Sequence, residues 1–125
     1  MDEARKIRIS AGTVAAYATL NGTTTAEEIW QALPLEVRMQ TWGEELYGAV
    51  PLNPSLESPQ EVVARGDLAY WPPGHAICIF FGPTPASRGA EIRAASPVNI
   101  VGRVTGDLKT LRKARDGARV LLARE

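Results

Sequence analysis

A chain of 125 residues has the length of one domain, here residues 1–125, and can bury roughly two thirds of its unfolded surface without help from a disulfide or a metal. Its single cysteine excludes an intramolecular disulfide, and one histidine beside one cysteine makes no zinc pattern, so neither a metal nor a cofactor is expected. Fourteen basic and fourteen acidic side chains balance to zero, which gives no long-range pull toward nucleic acid or an anionic membrane. The charged start "MDEARKIRIS" lacks the apolar segment of a secretion signal, and no apolar run has the length of a membrane span, so a cytoplasmic protein is expected.

In chain order, "KIRIS" places Ile7 and Ile9 on one face of a strand, and "TVAAYATL" alternates again after Gly12, which predicts a hairpin or bent strand pair. "NGTTTAEEIWQALP" predicts one short helix. Thr25 and Glu28 form a capping box, Ala26, Ile29, Trp30 and Leu33 share a face, and Pro34 ends it. Trp30 is read as an anchor of that helix on the core. A strand follows with Leu35, Val37, Met39 and Thr41 on one face, then a turn or bulge at "TWGEELYG" between Trp42 and Tyr47. Residues 51–65 hold three prolines and read as a loop with a short helical turn near Glu61.

"GDLAYWPPGHAICIFFGPTP", residues 66–85, gathers four of the nine prolines, four of the eight aromatic residues, and the only histidine and cysteine. "LAYW" and "AICIFF" read as strands of a hairpin joined by a type II turn, with Pro73 fixing φ and Gly74 taking a positive φ. "GPTPASRG" is a loop, and "PVNIVGRVTG" is a strand in which Gly102 marks a bulge or a close approach. "DLKTLRKARDG" reads as one or two helical turns from Asp107, and "ARVLLARE" as the last strand. The tally is about eight short strands with one or two short helices. Without regular strand–helix alternation, a closed antiparallel barrel plugged by a helix fits best.

Few residue patterns carry chemistry. No phosphate cradle and no nucleophile elbow is present. Cys78 sits between isoleucines, where a thiolate is disfavoured, and three residues from His75, which strand alternation turns to the opposite face. Glu44 and Glu45 diverge in a strand, so one of them can face Trp42 and Tyr47, whose apolar walls would raise its pKa toward that of a working acid or base. Trp42, Tyr47, Tyr70, Trp71, Phe80 and Phe81 fall at strand ends beside glycine or proline. Such rings serve a preformed pocket, one end of the core, or a homodimer interface.

Three blocks, "LPLEVRMQTWGEELYG", "GDLAYWPPGHAICIFFGPTP" and "EIRAASPVNIVGRV", resemble those of a cyclophilin-like family of small bacterial and archaeal proteins that mostly carry no assigned activity. The resemblance implies a mainly β, closed antiparallel cyclophilin-like barrel of about eight strands with one or two short helices. It also implies a pocket at the barrel mouth that takes a small molecule or short peptide, with Trp42, Glu44, Tyr47, Tyr70, Phe80, Thr84, Arg93 and Asn99 as ligand-binding candidates. Arg93 and Asn99 would fix a carboxylate or carbonyl there. The alternative is a divergent prolyl cis–trans isomerase. True cyclophilins carry a phenylalanine–histidine–arginine run that this sequence lacks, which leaves Arg38 or Arg93 to hydrogen-bond the prolyl nitrogen. Arg38, Glu44 and Arg93 are therefore the catalytic candidates.

Overall fold

The alternation of the first twenty residues forms a hairpin, β1 (Arg5–Ala11) and β2 (Val14–Leu20), in the computed structural model, which describes residues 5–105, 111 and 116–125. There follow α1 (Thr24–Ala32), β3 (Leu35–Thr41), β4 (Glu45–Ala49), β5 (Gln60–Val63), β6 (Asp67–Trp71), β7 (Ala76–Phe80), β8 (Ile92–Thr105) and β9 (Ala118–Arg124). The strands pair in the order β2-β1-β9-β3-β4-β7-β6-β8, and β2 also pairs β8, so eight strands close into a ring. Every ladder is antiparallel. The remaining strand, β5, lies outside the ring and pairs only with the first half of β8.

Period-two alternation fills the ring. Ile7 and Ile9, Ala16 and Ala18, Val37 and Met39, Leu46, Leu68 and Tyr70, Ile77 and Ile79, and Val120 and Leu122 all belong to one buried cluster. Ala26, Ile29 and Leu33 of the α1 segment join that cluster. Trp30 packs half-buried at its edge, with the Arg5 and Arg124 guanidinium carbons 5.3 and 4.5 Å from its ring centre. Among the described residues no helix is long and apolar enough to cross a membrane.

Several local expectations need correction. The helix cap is Thr23 rather than Thr25: the Ala26 N–H donates to the Thr23 hydroxyl at 3.1 Å. Thr25 is instead buried and donates its hydroxyl to Glu57 at 3.0 Å. Where a helical turn was expected near Glu61, β5 forms, because Val62 and Val63 find Arg93 and Ile92 of β8 as partners. That adds a ninth strand, among the described residues, outside the ring of eight. The hairpin of β6 and β7 turns through a 3-10 segment, Pro72–Gly74, and the left-handed residue is His75 at φ 49° rather than Gly74. Histidine tolerates that region better than most residues. Gly74 is needed for space, since a Cβ there would lie 2.6 Å from the Trp71 ring. The turns expected from Asp107 lie almost wholly outside the described residues.

One irregularity decides which face β8 presents outward. Leu68 of β6 faces Gly102 of β8, but the next residue, Ala69, faces Ile100, so Val101 is an extra residue on β8. From Gly102 onward the even-numbered side chains face the ring. Before it Val101 packs into the ring, while Ala94, Val98 and Ile100 turn outward.

Candidate functional site

The outward turn of β8 creates a second buried cluster on the outside of the ring. β6 and β7 are buried on both faces. Leu68, Tyr70, Ile77 and Ile79 point inward, while Ala69, Cys78 and Phe80 pack outward with Val63, Ile92, Ala94 and Val98. Against this second core lies a cavity of about 270 Å³ lined by Trp42, Glu45, Tyr47, Trp71, Ala94, Ala95 and Val98. This cavity therefore sits on the outer face of the ring.

Its walls are fixed from several elements. The Trp71 indole N–H donates to the Ser96 hydroxyl at 2.6 Å, which locks the ring against β8. Tyr47 pairs in register with Gln40 on one side and Cys78 on the other, and its hydroxyl reaches the Gln40 Oε1 at 3.4 Å. Trp42 enters from the β3–β4 turn, where its N–H donates to the Glu45 carbonyl at 2.9 Å. Glu45 stands opposite Phe80 and two residues before Tyr47, so both side chains share the outer face.

Glu45 is only 5% exposed. Burial pushes its pKa up to about 7, although a hydrogen bond with the Cys78 thiol pulls the other way. The Cys78 thiol is itself held well above its ordinary pKa, first by burial and then by the adjacent Glu45. Cys78 is thus a neutral donor. The pair gives the pocket one titratable carboxyl whose charge changes near neutral pH, in walls that are otherwise aromatic and aliphatic.

The candidates named from sequence divide. Trp42 and Tyr47 line this cavity, and Phe80 lies fully buried in the cluster behind it. Glu44 does not line it. Its N–H donates to Pro83 O at 3.0 Å, its carbonyl accepts from Phe81 at 2.8 Å, and it lines a neighbouring cavity with Thr41, Gly43 and Phe81. The acid in the aromatic pocket is its neighbour Glu45. Tyr70 points into the ring and donates to Leu52 O at 2.8 Å. The Thr84 hydroxyl donates to the Arg93 carbonyl, which closes the 82–91 loop. Arg93 is tied to Glu61 at 2.8 Å and Glu91 at 2.6 Å. Arg38 is exposed on β3.

Asn99 is a staple rather than a pocket residue. Its amide donates to the Thr25 hydroxyl at 3.1 Å and to Ser55 O at 2.9 Å, and its Oδ1 accepts from the Glu57 N–H at 2.8 Å. The Glu57 carboxylate in turn accepts the Thr24 and Thr25 N–H groups at 2.9 Å each, and those bonds lower its pKa. The network seats the start of α1 on β8.

The ligand-binding candidates named from sequence omit five residues that line the cavity: Ala94, Ala95 and Val98, which no pattern singles out, Trp71, which is one of the clustered rings, and Glu45, which is one of the two acids weighed beside Trp42 and Tyr47. Counting back two residues from Tyr47 selects Glu45 over Glu44, and adjacency alone says that Tyr70 and Trp71 cannot share a face. The three β8 residues carry no such signal, because the bulge that turns Ala94 and Val98 outward depends on pairing with β6.

The comparisons agree with this architecture. A solution structure of a hypothetical protein from Archaeoglobus fulgidus superposes with a TM-score of 0.83 and 34% identity, over 98% of this chain and 95% of that one. No curated protein matches the sequence. A family model described as cyclophilin-like matches residues 5–123, and with the ring of eight antiparallel strands this identifies the chain as a member of the cyclophilin-like family.

Proposed function

We propose that the protein binds a small molecule, or one side chain of a short peptide, in the outer-face pocket formed by Trp42, Tyr47, Trp71, Ala94, Ala95 and Val98. The observation that carries this reading is Glu45, a carboxyl set in an aromatic cavity where burial holds its pKa near 7. A buried ionisable group costs stability, and such groups concentrate where a site uses them. A concave, mostly apolar cavity with a few polar groups is the usual form of a small-ligand site. Prolyl isomerisation has less support. It needs a guanidinium at the pocket, whereas neither Arg38 nor Arg93 lines it and Arg93 is held by two carboxylates.

The chain has three tryptophans, and two of them line the pocket. Trp30→Phe therefore leaves a protein whose fluorescence reports the site alone. A screen of small metabolites against this variant is expected to yield ligands that shift the emission. Ala95→Phe, at an exposed position on the pocket wall, is expected to weaken them by roughly tenfold or more through steric blockage. Ligands that bind the Ala95→Phe protein as tightly as its parent would overturn the assignment of the site.

A further inference from the structure

Three features of the pocket bear on what it accepts. First, two of its three aromatic polar handles are committed elsewhere. The Trp71 N–H is bound by Ser96 and the Tyr47 hydroxyl reaches Gln40, so these rings offer the cavity chiefly their carbon surface. Ring faces are electronegative and attract cations. Second, Glu45 is the one carboxyl among the lining residues, and neither lysine nor arginine is among them. Third, among the described residues that line the cavity none offers Glu45 a countercharge. β7 contributes the neutral Cys78 thiol, β6 contributes Trp71, and β4 itself contributes the Tyr47 phenol. β3 contributes the uncharged Gln40, and the facing stretch of β8 contributes Ala94, Ala95 and Val98.

Resting on the pocket reading above, we propose that the occupant is a small organic cation, such as an alkylated ammonium group, seated among Trp42, Tyr47 and Trp71 with its charge against the Glu45 carboxylate. A ligand cation supplies the countercharge that the described lining residues lack, and the rings stabilise it from the sides. An anionic ligand would meet both a carboxylate and ring faces of the wrong polarity. The cavity of about 270 Å³ lies at the small end of ligand sites, which suits a compact head group. In the empty site Glu45 keeps its proton until about pH 7, and the cation selects the ionised form. Affinity must then rise with pH, by roughly tenfold between pH 6 and pH 8, and level off above.

The test uses choline and its uncharged isostere 3,3-dimethylbutan-1-ol as probes, titrated into the whole protein while the indole N–H resonances of Trp42 and Trp71 are followed by NMR. Choline is expected to bind more tightly than the isostere at pH 8 and to weaken about tenfold at pH 6, while the isostere ignores pH. Glu45→Gln is expected to remove the pH dependence and most of the preference for the cation while leaving the isostere's affinity within about twofold. Trp42→Leu is expected to weaken choline by roughly tenfold through loss of one ring. An isostere that binds wild-type protein as well as choline does, at both pH values, sinks the cation inference and leaves the pocket standing. If neither probe moves the Trp42 and Trp71 resonances, both readings fail.

Discussion

Burial exchanges the water around the Glu45 carboxyl for Trp42, Tyr47, Trp71 and the Cys78 thiol, and its pKa rises from 4.5 to about 7. The consequence for stability follows from proton counting. Between the two values the folded protein holds a proton that the unfolded chain releases, so the contribution of Glu45 to stability falls as pH rises from about 4.5 to about 7, then stays flat. Glu45→Gln removes that dependence. The variant is expected to match wild type near pH 4.5 and to exceed it at pH 8 by up to about 3 kcal/mol, measured by urea unfolding. Parallel curves for the two proteins across that range would show that Glu45 ionises freely in the folded state. Stability lost to a buried carboxyl is the trade expected where a proposed binding site uses that group.

Among the strands, β8 carries the most responsibilities. Its second half closes the ring against β2, with Leu20 opposite Gly102 and Thr19 opposite Arg103. At this seam a Cβ on Gly102 would overlap the Thr19 carbonyl oxygen and stand 3.1 Å from the Leu20 Cα. Both neighbours are backbone and cannot rotate aside. Gly102→Ala is expected to cost about 2 kcal/mol or more, seen as a lower urea midpoint with an unchanged slope. A loss under about 0.5 kcal/mol would mean that the seam yields. That glycine was legible in the sequence as a bulge or close approach, as were the strands whose apolar residues alternate, such as Ile7 and Ile9 or Val37 and Met39. β5 was not, because four residues after three prolines hold too short a pattern to show a period. The site was half legible for a related reason. Rings at strand ends announced a pocket, but the wall supplied by Ala94, Ala95 and Val98 exists only through the pairing of distant strands.

For the whole molecule, two cores of different exposure predict an uneven resistance to opening. β6 and β7 are covered on both faces, one by the ring interior and the other by the outer cluster. β5 pairs on one side only and leaves Val62 exposed. Hydrogen exchange is expected to be slowest at the amides of β7 and fastest, among the strands, at those of β5, with protection differing by roughly a thousandfold or more. Equal protection of the two would mean that ring and outer layer open together as a single unit.

The extra residue at Val101 sets the pocket's permissible history of change. Exchanging side chains at Ala94, Ala95 or Val98 reshapes the cavity while the strand keeps its course. Deleting one residue at the bulge would turn Ala94 and Val98 toward the ring, so that the cavity loses that part of its wall at once. The cavity is therefore open to gradual reshaping by substitution and closed to variation in length.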